Sequence, residues 1–230
     1  MNINLALDRI HKASHIFFDV GGTLLRPFPS PGEIYAREFF LFGYSFDSQE
    51  LQDRFNVTWE KFQIQPKQEI SSSDYEWWYK FLKDMMKNEI KEADFDQIYD
   101  HLWIAFASPK NWQEIDGAFQ LLKNLQQNGK RLHILSNWDE RLRSIIRELN
   151  IASYFESITL SSDYMIDKPD KKLFDFALKN GKCDRSEVLY IGDSYSHDAV
   201  GCQNAGWDFI LVNNTKYTNL KIGDLKLNVI

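Results

Sequence analysis

Ile16-Phe17-Phe18-Asp19-Val20-Gly21-Gly22-Thr23 is an apolar run that stops on an acid and a glycine turn. A run this short, bounded by glycines, reads as a buried β-strand rather than a helix. The same punctuation recurs downstream. Arg131 to Leu135 stops at Ser136-Asn137, Ser157 to Leu160 at Ser161-Ser162, Val188 to Ile191 at Gly192-Asp193, and Phe209 to Val212 at Asn213-Asn214. Stretches of helical period alternate with these runs: Gly117 to Asn128, Asp139 to Leu149, Lys171 to Lys179 and Asp198 to Ala205. Alternation of strand and helix predicts an α/β fold with a Rossmann-like parallel sheet, whose ligand site lies at the carboxyl ends of the strands. Asp19, Ser136 and Asp193 all fall at such ends.

From Pro27 to Ile115 the alternation breaks. Helical segments are expected near Gly32 to Phe42, Ser48 to Phe62, Ser73 to Asn88 and Asp94 to Phe106, with no convincing strand between them. The domain organisation read from this is a core of residues 1–26 and 116–230 carrying an inserted all-helical domain, 27–115, hinged near 26–31 and 108–117. Five of the seven tryptophans (Trp59, Trp77, Trp78, Trp103, Trp112) lie in the insertion, as does Tyr75, and aromatics at helical spacing are expected to form its own core more than to touch a substrate. His101 and His133 read as structural, Arg26 is left open between an anion contact and a hinge residue, and the tail Tyr217 to Ile230 as a surface-packed segment.

The chain has 230 residues, 43% hydrophobic and 26% charged, which fits an ordinary folded protein. A net charge of −6 with acids and bases interleaved argues against a nucleic-acid or anionic-membrane partner, so any phosphate site is local. Cys183 and Cys202 lack metal-ligand spacing and are expected to be buried thiols in a reducing compartment. Met1 to His15 carries charges and no long apolar run, so neither a secretory signal nor a membrane span is expected, and the cytoplasm is the expected location.

Four clusters carry chemistry. Asp19 before Gly21-Gly22-Thr23 is either a turn former or a nucleophile beside backbone N–H groups, Gly22 among them, that approach an anion. Ser136-Asn137 either caps the next helix or holds a phosphoryl oxygen. Lys168 in Lys168-Pro169-Asp170 is either a solvated cation or the counter-charge of a phosphate. Asp193 and Asp198 supply hard oxygen ligands of the kind Mg2+ prefers, while Asp198 alone could merely cap the next helix, or do both.

In order and spacing, Phe18-Asp19-Val20-Gly21-Gly22-Thr23-Leu24, Leu135-Ser136-Asn137, Lys168-Pro169-Asp170 and Ile191-Gly192-Asp193-Ser194 with Asp198 and Ala205-Gly206 resemble the haloacid dehalogenase superfamily. The likeness spans nearly the whole chain and is nearest to the haloacid dehalogenase-like domain-containing phosphatase group, with the insertion similar to the family's helical cap. The resemblance implies a Mg2+-dependent hydrolase acting on a phosphorylated small molecule, with Asp19 as nucleophile and Ser136 and Lys168 holding the phosphoryl group. It also implies Mg2+ on Asp19, Asp193 and the backbone carbonyl of Gly21, with Asp198 supporting the metal from behind. The family's phosphatases usually carry a second acid two residues after the nucleophile, and here that position is Gly21. The loss of acid assistance, typically worth about 10² to 10⁴ in rate, implies weak activity or a restriction to good leaving groups. The alternative is a phosphate-binding or regulatory protein with negligible turnover. Carbon–halogen hydrolysis is disfavoured by the Gly192-Asp193 motif, and phosphonate hydrolysis would need a cap lysine that nothing singles out.

Overall fold

The first strand is buried on every residue, and the sheet is built outward from it. The computed structural model describes residues 2–64, 70–71 and 73–227, so the last three residues of the tail lie outside the described residues. It divides into two compact units, Met1–Arg26 with Glu114–Ile230, and Pro27–Gln113.

In the first unit, α1 (Ile3–Lys12) leads into β1 (His15–Phe18). Five strands form one sheet: β1, β4 (Arg131–Ser136), β5 (Phe155–Leu160), β6 (Val188–Gly192) and β7 (Asp208–Leu211), in the order β5-β4-β1-β6-β7. All pairings are parallel, with Phe18 opposite Ile134 on one side and Ile191 on the other. Parallel strands need crossovers, supplied here by α6 (Ala118–Gln127), α7 (Arg141–Glu148), α9 (Lys171–Gly181) and α10 (Val200–Ala205), with a short α8 (Ser161–Tyr164) after β5. This is the α/β Rossmann-like core that the punctuation predicts. Phe17 and Phe18 are fully buried on opposite faces of β1, and burial of a side chain that size contributes about 1.5–3 kcal/mol.

Three features depart from the sequence reading. Residues 3–12 form a helix, since Ala6 and Ile10 recur at helical spacing and are buried while Asp8, His11 and Lys12 are exposed. Two three-residue strands, β2 (Leu25–Pro27) and β3 (Trp112–Glu114), pair with each other where no strand is expected. Cys202 is buried as expected, but Cys183 is only partly so, because it follows the turn that ends α9. Burial still pushes the Cys183 thiol up to about 11.

The second unit holds α2 (Pro31–Phe40), α3 (Ser48–Ile64), α4 (Asp74–Met86) and α5 (Glu92–Ala105). Ser30 and Glu33 form a reciprocal capping box at the start of α2, and Pro31 occupies the first helical position, where its missing N–H costs nothing. Its core is aromatic: Phe39, Trp77, Phe81 and Phe95 are buried among aliphatic residues and Met85 and Met86, with Trp78 and Trp103 packed partly against them. Trp77 therefore belongs to the unit's own core, whereas Tyr75 is exposed on one side and its hydroxyl donates to Asp100. His101 lies against Glu38 at 2.7 Å. Among the described residues, no helix is long and apolar enough to cross a membrane.

At the amino ends of the strands, away from Asp19, two imidazoles share a chain of hydrogen bonds. His15 Nδ1 is 2.9 Å from His133 Nε2, and His133 Nδ1 is 2.8 Å from Ser157 Oγ. His133 is sandwiched between His15 and Phe17, and burial, then His15, pushes its pKa down to about 4. The folded chain thus holds fewer protons than the unfolded chain between pH 6.5 and about 4, so stability falls as pH drops through that window.

The expected loss across the window is about 3 kcal/mol, read as a falling urea midpoint on acidification. His133→Gln, which retains a donor and an acceptor, should flatten that slope; an unchanged slope would rule out His133 as its source. In the helical unit, Phe81→Ala should cost about 3–5 kcal/mol of stability by urea denaturation followed by circular dichroism, because it empties a fully buried position.

Candidate functional site

Parallel strands all end on one edge of the sheet, and that edge collects the polar residues. β1 delivers Asp19, the neighbouring β4 ends in Ser136, and β6 on the other side leads into Asp193. Ser136 Oγ donates to Asp19 Oδ1 at 2.8 Å. Lys168, from the loop between α8 and α9, is 3% exposed, so it is a buried cation rather than a solvated one. Its ammonium donates to Asp19 Oδ1 at 2.7 Å, Asp198 Oδ1 at 2.6 Å and the Tyr190 hydroxyl at 2.7 Å, which uses its three protons. Asn137 clamps this loop with both ends of its amide: Oδ1 accepts from Lys168 N at 2.7 Å and Nδ2 donates to Lys168 O at 3.1 Å.

Asp19, Asp193 and Asp198 each place a carboxylate oxygen within 4.8 Å of the others. Three carboxylates face one ammonium in a mostly buried space, so full ionisation of all three would leave a surplus of two negative charges. Burial, then the charges of Asp19 and Asp198, push Asp193 up to about 8, against a hydrogen bond from Thr23 Oγ1 at 3.0 Å. Burial also raises Asp19, with Lys168 as the main opposing charge. Burial works against the ammonium of Lys168, but Asp19 and Asp198 outweigh it and hold its pKa above the ordinary value. A compact all-oxygen donor set carrying this surplus charge fits a hard divalent cation such as Mg2+. The oxygens of Asp198 are already engaged, Oδ1 by Lys168 and Tyr190 and Oδ2 by the backbone N–H of Ser194. Asp198 sits in a π-helical turn, Tyr195–Ala199, that Ser194 caps, and by accepting the Ser194 N–H it braces the start of that turn as well as holding Lys168.

Gly22 needs correction. Its N–H donates to Leu25 O at 2.9 Å, so this amide is not the phosphate contact expected of it. Glycine is required there for another reason: its φ is +79° and a Cβ would fall 2.4 Å from Asp193 Oδ2. Close approach of the first turn to Asp193 is what the glycine permits. Gly21 lies beside it with no side chain to give or take a proton.

Several residues of the site escape a reading of the sequence. Tyr190 looks like one more apolar strand residue, yet its fully buried hydroxyl lies 2.7 Å from Lys168 Nζ and 2.8 Å from Leu135 O. Thr23 carried a signal in its place after the glycines but no predicted partner. Asn213 and Asn214, which read only as a polar stop after β7, donate to Gly22 O and Asp193 O at 3.0 and 2.7 Å and so brace both turns from behind.

The solved structure of the magnesium-bound HAD-hydrolase YfnB from Bacillus subtilis superposes with a TM-score of 0.73, covering 88% of this chain and 89% of that one at 22% identity, which speaks to fold alone. The haloacid dehalogenase-like hydrolase domain-containing protein 3 of Danio rerio is 27% identical over 203 residues, 86% of this chain and 84% of that protein. The pyrimidine 5'-nucleotidase YjjG of Escherichia coli is 35% identical over 94 residues, 40% of this chain and 41% of its own. A model of the haloacid dehalogenase-like hydrolase family matches residues 16–212, from the first residues of β1 to just past β7, and the chain belongs to that family.

Proposed function

We propose that this hydrolase removes phosphoryl groups from a small molecule through a covalent intermediate on Asp19. The observation that carries the reading is the convergence on one buried carboxylate of a hydroxyl, an ammonium and two further acids. A carboxylate nucleophile needs its charge offset, the incoming phosphoryl oxygens need donors, and positioning with electrostatic stabilisation supplies most of the acceleration in phosphoryl transfer. Asp19 attacks phosphorus; Ser136 Oγ and Lys168 Nζ turn from Asp19 to the phosphoryl oxygens once its carboxylate is esterified. Asn137 keeps Lys168 in place and has one amide N–H left for the same group. Mg2+, when bound, offsets the surplus negative charge between nucleophile and phosphate. Asp19, Asp193 and the Gly21 carbonyl would hold it, while Asp198, with both oxygens engaged, would fix Lys168 and the Ser194 turn rather than ligate directly. One relative is named a pyrimidine 5'-nucleotidase, which supports phosphoryl chemistry in general and not the choice of leaving group.

With Gly21 in place of an acid, the leaving group departs without a proton from that position. The site therefore suits aryl or acyl phosphates and disfavours alkyl phosphates by about 10² to 10⁴. The absence of a side chain at Gly21 also favours a second reading, a phosphate-binding protein with negligible turnover.

Release of p-nitrophenol from p-nitrophenyl phosphate should require Mg2+ and fall at least about a thousandfold in Asp19→Asn. Turnover equal to the Asp19→Asn background would make the binding reading the better one. Comparable kcat/KM on glycerol phosphate and on p-nitrophenyl phosphate would refute the restriction to good leaving groups.

A further inference from the structure

Gly21 and Gly22 are adjacent, but the backbone demands glycine only at the second. Gly21 does not lie in the left-handed region, and an added Cβ would meet no backbone atom within 4 Å. What it would meet is the six-membered ring of Trp138, with Cζ3 at 3.4 Å and Cε3 at 4.0 Å. The indole edge thus stands where a side chain at position 21 would project.

The backbone that carries the indole is fixed on both sides. The backbone N–H of Trp138 donates to Ser136 O at 3.0 Å and its backbone carbonyl accepts from Ser162 N at 3.4 Å. The next residue, Asp139, is 4% exposed and gripped by Arg141, with Nε and Nη2 each at 2.7 Å from a carboxylate oxygen. Two residues before the indole, Ser136 touches the nucleophile. A half-buried aromatic ring therefore stands beside Gly21, two residues past Asp19, where the side chain of an acid would project.

We infer that Trp138 is a specificity-determining residue whose indole forms a wall for a planar aromatic leaving group, matching the site to aryl phosphate monoesters over acyl and alkyl phosphates. The inference rests on the phosphoryl chemistry proposed for Asp19. In the first step an Asp19 carboxylate oxygen bonds to phosphorus as the phosphorus–oxygen bond to the aryl group breaks. The electron pair leaves on the aryloxide, whose low basicity removes the need for a proton donor at Gly21. Water then attacks phosphorus, the bond to Asp19 breaks, the carboxylate is restored, and both hydrogens of the water leave with the phosphate. Stacking of two aromatic rings favours the aryl substrate by about two- to tenfold beyond the area it buries.

Binding can be read without turnover, using phenylphosphonate and methylphosphonate, whose carbon–phosphorus bonds do not supply an aryloxide or alkoxide leaving group. With Mg2+ present, calorimetry should show the wild-type protein binding phenylphosphonate about tenfold more tightly than methylphosphonate. Trp138→Phe should keep that ratio within about twofold, while Trp138→Ala should bring it near one with methylphosphonate affinity unchanged. Should the alanine variant fail to fold, Trp138→Leu, which retains apolar bulk, gives the same comparison. Equal wild-type affinities, no binding of either phosphonate, or a ratio unaltered in the alanine or leucine variant would overturn the assignment. Turnover of p-nitrophenyl phosphate is measured alongside. If it is absent while the ratio behaves as expected, the hydrolytic reading fails and Trp138 stands as a wall for aryl phosphates; if it is present without the ratio, Trp138 alone fails.

Discussion

One ammonium inside the protein organises everything around it. Lys168 is buried, and an unpaired cation there would cost several kcal/mol in lost hydration. It is tolerated because Asp19, Asp198 and the Tyr190 hydroxyl take its three protons. The dependence is mutual, since Asp19 in its buried position is kept from a still higher pKa chiefly by that same charge. Three different strands contribute to the arrangement: β1 leads into Asp19, β6 carries Tyr190, and the carbonyl of Leu135 on β4 receives a bond from Tyr190. The charge pair and the sheet register are therefore parts of one construction, and a slip of any of these strands would break the pair.

The glycines of the two turns serve the same geometry. Gly22 brings the first turn against Asp193, and Gly192 lets Asp198 approach β6, where an added Cβ would fall 2.3 Å from its carboxylate. These are places where a side chain is excluded by a functional group rather than by backbone conformation alone. Acids packed so near one another repel, and the burial that pushes Asp193 up is the physical reason a cation would be welcome.

Much of this was legible in the sequence, for identifiable reasons. Apolar runs ending on Asp19, Ser136, Gly192 and Asn213 announce parallel strands because a strand buried on both faces leaves no room for polar residues until its end. The polar residues at those ends were visible as candidates because sheet topology forces them to converge. The rest depended on contacts at long range. Tyr190 sits in an apolar pattern that gives no hint of a hydroxyl bound to Lys168, twenty-two residues away. The amide of Gly22 was spoken for by Leu25, a pairing set by the shape of the turn rather than by residue type. Nothing in the pattern around Trp138 announces that its ring lies against Gly21; only the fold sets it there.

The central position of β1 has a consequence for how the chain is made. Its neighbours in the sheet are β4 and β6, so during synthesis this strand waits for partners whose residues begin at Arg131 and Val188. Asp19 waits as long for its cation, 149 residues further along. During synthesis Phe17 and Phe18 have no sheet to enter, while the helices described in the second unit are already complete and rich in local contacts. The helical unit can thus assemble ahead of the sheet on the nascent chain, and the hydrolase core closes late, around a strand made well before its partners.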